Sequence, residues 1–230
     1  MTTLLEFEAK PETAVPGRVP FFAATSLTLL KPWLKKALRP IAAKLVRAGA
    51  TANQVTLASL AGSIAVGWLL CTHSGETSLF ALLPGWLVIR TACAAIDGTM
   101  AVEFGQKTGL GGFLNEAGDI ASDAALFLPL AFVAPFSPSA IAFLIGLATL
   151  SEIAGIAGSF LVGDRRLDGP LGRADRSIVL MVLGVMIALF GGLPPVASLV
   201  TPVLGTGLVL TIWNRLRYAL TGRPGRAGTQ

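Results

Sequence analysis

The chain has 230 residues, of which 53% are hydrophobic and 13% charged, and its net charge is +5. This balance excludes an ordinary soluble domain, and the length allows one domain or two small ones. The basic excess bears on membrane orientation and anionic lipid surfaces. No basic patch is interleaved with aromatic residues, so nucleic acid is excluded as a partner.

Residues 1–26 are expected to form a loosely ordered tail, because Pro11, Pro16 and Pro20 argue against a long helix. The first residues are polar and acidic and do not resemble a cleaved signal peptide. Residues 27–49 differ. Trp33, Leu34, Leu38, Ile41, Leu45 and Val46 form an apolar stripe at helical spacing, while Lys31, Lys35, Lys36, Arg39, Lys44 and Arg47 crowd the remaining surface. That pattern predicts an amphipathic helix lying in the membrane interface, bent or interrupted at Pro40.

Apolar runs near the ~20 residues that cross a bilayer then recur. The first is placed at 53–71, with Thr51 or Asn53 as N-cap and small residues such as Gly62 and Gly67 for close packing. The second runs from Ser78 to Val102, the third from Gly111 to Pro135, the fourth over 140–162, the fifth over 177–193 and the sixth over 196–214. Lys and Arg concentrate in the N-terminal segment, the 103–110 turn, the 163–176 loop and the tail at 221–230. The intervening loops have none. The positive-inside rule then places both termini in the cytoplasm. The expected fold is all-α and integral to the membrane, with six transmembrane helices over 50–220 preceded by the interfacial amphipathic helix. Cys71 and Cys93 both lie in apolar segments without a C-x-x-C pairing, so they read as small buried hydrophobes.

Within this apolar chain, residues 90–123 hold Arg90, Asp97, Glu103, Glu116, Asp119 and Asp123. Ionisable groups inside a membrane segment are costly and mark function or a wet cavity. Asn115, Asp119 and Asp123 recur every four residues and share one helical face, bordered by Glu116. Arg90 and Asp97 share a face on the preceding helix, where they form either part of a site or a structural ion pair. If the two helices are antiparallel neighbours, Asp97 and Asp119 converge. Carboxylates meeting there need protons, Arg or metal, and oxygen-only ligands suit Mg²⁺ or Mn²⁺. Glu152 reads either as a protonated packing residue or as a further wall of the cavity. Arg165, Arg166, Arg173 and Arg176 either set topology or recognise an anionic acceptor or lipid phosphate.

The same stretch resembles the CDP-alcohol phosphotransferase signature, D-x2-D-G-x2-A-R-x8-G-x3-D-x3-D. Asp97, Gly98, Ala101, Gly111 and Asp119 fall on it, and T-A-N-Q-V-T at 51–56 resembles the family's T-P-N-x-[IVL]-T entry to its first span, with Ala52 in place of Pro. Ala94, Val102 and Asn115 stand where the family has Asp, Arg and Asp. The resemblance implies a phosphotransferase of phospholipid biosynthesis. It would move a phosphatidyl or phospho-alcohol group from CDP-diacylglycerol or another CDP-alcohol to an alcohol, releasing CMP. It further implies metal ligands at Asp97 and Asp119, with Asn115, Asp123 and Glu116 as further candidates, and Asp119 as catalytic base. Gly98, Ala101, Gly111 and Thr56 would line the nucleotide pocket, and Arg90, Arg165, Arg166 and Arg173 would meet the acceptor or a phosphate. The expected setting is a bacterial inner (plasma) membrane, with membrane lipid as a partner and a homodimer compatible with the small-residue faces. The three departures also support a second reading, a catalytically impaired relative that binds nucleotide or lipid or assembles with a partner.

Overall fold

A computed structural model describes residues 26–162 and 169–221 of the chain. They form α1 (Ser26–Arg47), α2 (Ala52–Thr72), α3 (Leu82–Glu103), α4 (Gly109–Phe127), α5 (Pro138–Val162), α6 (Arg173–Phe190) and α7 (Val200–Thr221). Short 3-10 turns lead into α3 and α7 at Thr77–Ala81 and Pro195–Leu199, and one follows α4 at Leu128–Phe132. Among the described residues, four stretches are long and apolar enough to cross a membrane: Ala52–Thr72, Thr77–Glu103, Pro138–Gly158 and Pro195–Arg217. The two other expected spans, α4 and α6, carry Glu116, Asp119 and Asp123, and Arg173, Asp175 and Arg176, respectively.

Local chemistry accounts for the element ends. Thr51 is the N-cap of α2: its hydroxyl accepts from the Gln54 N–H, and the Gln54 side chain accepts from the Thr51 N–H at 2.9 Å. This reciprocal pair satisfies two helix-start donors. The α1 helix continues through Pro40 without interruption and stops where Gly49 adopts φ +83°. The α6 helix starts at Arg173, four residues before the expected boundary, because the Asp175 carboxylate accepts from the Gly172 N–H at 2.7 Å. Its first turn therefore draws Arg173 and Arg176 out of the loop and into the helix.

Close approaches fix the bundle. Helix α2 packs along α4 in the same direction. Near their far ends, a Cβ on Gly67 would come within 2.2 Å of the Ala125 carbonyl oxygen, and near their starts Gly111 sits against Asn53. Gly62 lies under the Trp86 ring of α3, whose Nε1 donates to Ser63 Oγ at 2.9 Å. These contacts bear out the small-residue packing expected of the first span. Helices α3 and α6 run antiparallel, with Gly184 against Leu83 and Phe80, and α5 pairs with α7.

Two apolar cores result. The larger joins Leu70, Phe80, Leu83, Leu126, Leu130, Ile141, Leu183 and Ile187 towards one end of the bundle. The smaller, around Ala42, Ala52, Ile96 and Met100, fastens α1 to the start of α2 and the end of α3. Leu38, Leu45 and Val46 of the predicted α1 stripe pack there, whereas Trp33 and Ile41 stay exposed. The polar residues of α3 and α4 lie between the two cores.

Candidate functional site

A cavity of about 470 Å³ opens between α1, α2, α3, α4 and the start of α6. A second lobe of about 200 Å³ shares Thr56, Ala94, Asp97, Asn115, Asp119 and Arg173 with it and reaches Arg90. The larger volume lies in the range of small-molecule and cofactor sites. Helical spacing explains the convergence. Asp97 lies six residues before the end of α3 and Asp119 ten residues after the start of α4, so the turn between these helices brings both into one cavity.

Asp97 is buried, and Thr56 Oγ1 donates to its Oδ2 at 2.7 Å. Thr56, expected at the nucleotide, thus also orients an acid. Gly98 has open space where a Cβ would stand, so a ligand can approach the α3 backbone. Gly111 is tight instead, with Asn53 Oδ1 at 2.6 Å from its would-be Cβ. Gly98, Ala101, Gly111 and Thr56 all line the larger cavity. So do Lys35 of α1 and Lys107 of the α3–α4 turn, the former from the helix read as interfacial.

Asp119 is held from two sides. Arg90 Nη2 donates to its Oδ1 at 3.0 Å, and Arg173 Nη1 donates to its Oδ2. Arg90 Nη1 donates to Asp123 Oδ1 at 2.8 Å, and Arg176 Nη2 donates to Asp123 Oδ2 at 2.8 Å. The ion pair considered between Arg90 and Asp97 is therefore replaced by pairs with Asp119 and Asp123 on the neighbouring helix. Asp123 and Glu116, both weighed as metal ligands, do not line the cavity that holds Asp97. Glu116 sits 3.8 Å from Arg173 Nη2. Arg165 and Arg166 lie outside the described residues.

Glu152 completes the network from α5. It accepts from Arg173 Nη2 at 3.0 Å and from Arg176 Nη2 at 2.9 Å, with Arg215 Nη1 of α7 at 3.8 Å. Arg215 also donates to the Ser151 carbonyl. The sequence singled out Glu152 and Arg176 without pairing them, and Arg215 lies just past the sixth expected span. Their separations of 24 residues or more leave no local signal.

Asp97, Asn115 and Asp119 offer oxygen donors only, a chemistry that suits Mg²⁺ or Mn²⁺. Among the described residues, no group of three or more His, Cys, Asp or Glu forms a metal cage. Two carboxylates and an amide nonetheless fit Mg²⁺, which is usually held by one or two carboxylates, with water and substrate phosphates completing its shell.

Fold and site together define a helical integral membrane protein with an acid-bearing polar cavity between its helices. No family model matches the chain. It is 35% identical over 195 residues to the inner membrane protein YnbA of Escherichia coli (strain K12), covering 85% of this chain and 96% of that protein. It is 31% identical over 196 residues to the phosphatidylinositol phosphate synthase of Mycolicibacterium smegmatis, covering 83% and 86% of the two chains. The chain belongs to the CDP-alcohol phosphotransferase family. Its fold matches the crystal structure of Mycobacterium tuberculosis phosphatidylinositol phosphate synthase (PgsA1) with CDP-DAG bound, at TM-score 0.67 and 26% identity, over 83% of this chain and 96% of that one. The complex of that enzyme with manganese and citrate matches at TM-score 0.67 and 26% identity, over 83% and 92% of the two chains.

Proposed function

We propose that this protein is a membrane phosphotransferase that moves a phosphatidyl or phospho-alcohol group from a CDP-linked donor to an alcohol, releasing CMP. The observation that carries this reading is the convergence of Asp97 and Asp119 with Gly98 and Gly111 in one cavity of about 470 Å³. The family and the CDP-DAG complex of a relative support the donor class. The nucleotide lies along Gly98, Ala101, Gly111 and Thr56. Asp97, Asn115 and Asp119 hold Mg²⁺ or Mn²⁺, and the relative's manganese complex supports that choice. When bound, the ion neutralises phosphoryl charge.

The residues divide the remaining work. Arg90 and Arg173 fix Asp119 at the cavity wall. The acceptor oxygen attacks the donor phosphorus, its proton passes to Asp119, and the P–O bond to CMP breaks. CMP leaves with the bonding electrons, so atoms and charge balance. In this reading α1 lies at the interface, six helices span a plasma membrane, and the termini and the cavity mouth face the cytoplasm.

A second reading rests on specific observations: both carboxylate oxygens of Asp119 already accept from arginines, and Ala94 and Asn115 bring no charge. The protein would then bind nucleotide or lipid without turnover. The deciding experiment supplies CDP-diacylglycerol and a panel of alcohols to the purified protein in vesicles, with Mg²⁺, Mn²⁺ or chelator. Metal-dependent CMP release that is lost in Asp97→Asn and Asp119→Asn is the expected result. No release with any acceptor, while CDP-diacylglycerol raises the melting temperature, would instead establish the binding relative.

A further inference from the structure

We propose that Gln106 is a positioning residue that sets the affinity of the divalent-ion site: it holds the first turn of α2 so that Thr56 meets Asp97. The proposal deepens the phosphotransferase reading and rests on it for Asp97 as a metal ligand. The hydrogen-bonded chain from Gln106 to Asp97 stands on geometry.

Gln106 lies in the turn between α3 and α4, where Gly105 adopts φ +67° and the Gln106 N–H donates to the Met100 carbonyl at 3.4 Å. Its side chain reaches across to the connection between α1 and α2. Oε1 accepts from the Ala52 N–H at 2.7 Å, and Nε2 donates to the Ala50 carbonyl at 3.3 Å. One amide therefore grips the backbone on both sides of Thr51, the N-cap. Ala52 is the first residue of α2, so its N–H has no partner within the helix. The Thr51–Gln54 capping pair serves the N–H groups of Thr51 and Gln54. Ala52 is 6% exposed, and a buried N–H left unpaired is costly. Gln106 supplies its acceptor.

One helical turn further on, Thr56 Oγ1 lies 3.2 Å from the Ala52 carbonyl oxygen and donates to Asp97 Oδ2 at 2.7 Å. A helical threonine has few χ1 rotamers, and this contact with the carbonyl four residues back goes with the one that aims the hydroxyl at α3. Ala52 is thus engaged at both its N–H and its carbonyl, by Gln106 and by Thr56. Asp97 precedes Gln106 along α3 and its turn, which closes a ring: Gln106, Ala52, Thr56, Asp97 and back along α3. All four residues line the cavity of about 470 Å³. The ring fixes the start of α2 against the end of α3 at the level of the ligand. Once Gln106 lets go, α2 can shift at this end and the Thr56 hydroxyl loses its aim.

The test uses full-length protein in detergent micelles and Mn²⁺ as the probe, with free Mn²⁺ read by electron paramagnetic resonance. Wild type, Gln106→Met, Thr56→Val and the double variant are titrated, with Asp97→Asn as the reference for loss of the ligand. Gln106→Met keeps the length of the side chain and removes both of its hydrogen bonds. Groups that orient a metal ligand typically contribute 10–100-fold to affinity, so each single variant should weaken Mn²⁺ binding by about 10-fold. Because the two act along one path, the double variant should also lose about 10-fold, not the about 100-fold of independent sites. A Gln106 that only fastens two turns would lower the melting temperature and leave Mn²⁺ affinity unchanged. That outcome overturns the proposal, as does a double variant weakened by the product of the two single effects. If Gln106→Met fails to fold, amide exchange in the wild type decides. Coupling is reciprocal, so Mg²⁺ should slow exchange at Ala52, and Thr56→Val should abolish the slowing. An Ala52 amide indifferent to Mg²⁺ overturns the proposal. The two readings fail separately. No CMP release with any alcohol, while Mn²⁺ binding stays dependent on Gln106, removes the phosphotransferase and leaves the positioning role. Mn²⁺ binding that Asp97→Asn does not weaken removes the ligand, and the role of Gln106 with it.

Discussion

At the scale of single residues, Asp97 and Asp119 are acids in different company. Asp97 is oriented by a neutral hydroxyl, Thr56 Oγ1 at 2.7 Å, whereas Asp119 lies between two guanidiniums. Groups that orient a metal ligand typically contribute 10–100-fold to metal affinity or activity. Thr56→Val keeps the shape and removes the donor. It should therefore raise the Mg²⁺ concentration for half-maximal CMP release by about 10-fold or more, with the melting temperature little changed. An unchanged metal dependence would remove Thr56 from the ligand-orienting role. Arg176 makes the opposite kind of prediction. It is 1% exposed and donates to both Asp123 and Glu152. Arg176→Met leaves two buried carboxylates short of a partner, and breaking a buried pair typically costs about 3–5 kcal/mol. Unfolding in a denaturing detergent titration should show a loss of that order.

The signature spacing made Asp97, Gly98, Gly111 and Asp119 legible as neighbours, because they lie close to one turn between consecutive helices. The partners of Asp119 were not legible as a set. Arg90 was visible as a charge in a span, but its partner depends on how α3 is rotated against α4. Glu152 and Arg176 join across the loop between α5 and α6, and no periodicity in the sequence encodes that contact.

At the scale of elements, α2 and α4 are held at backbone distance by glycine. A Cβ on Gly67 would stand 2.2 Å from the Ala125 carbonyl oxygen, an atom that cannot rotate away. Gly85 of α3 has nothing within 4 Å of the same point. Gly67→Ala should therefore cost about 1–3 kcal/mol through overpacking, and Gly85→Ala should be neutral or slightly stabilising because alanine favours the helix. Thermal unfolding of the two single variants separates packing from propensity, and equal melting temperatures would deny the close α2–α4 contact. The small residues of α2 announced this packing in the sequence. Helix starts were harder to read. The α6 boundary depended on the Asp175 side chain reaching the Gly172 N–H, and the 3-10 turns beside α3, α4 and α7 shorten runs whose composition alone reads as continuous.

At the scale of the molecule, the proposed six-span topology requires α4 and α6 to cross a bilayer with charges that keep them out of the four plainly apolar spans. Charged groups within a membrane protein are tolerated when they face the bundle and pair with one another. Asp119 and Asp123 of α4 meet Arg90, Arg173 and Arg176, while Glu152 of α5 meets the two arginines of α6. The pairing removes net charge from the lipid's view, so six spans are tenable where composition alone counts four. The connections at 73–76, 133–137 and 191–194 contain no Lys or Arg, so the proposed topology has them on the side opposite the basic one. Single cysteines at Gly75, Ser137 and Gly192, in a background with Cys71 and Cys93 replaced, should label with a membrane-impermeant maleimide on intact cells. Cysteines at Ala48 and Lys107 should label only after the membrane is breached. If positions 107 and 137 label from the same side, α4 does not cross, and the paired charges have some purpose other than carrying it through the membrane.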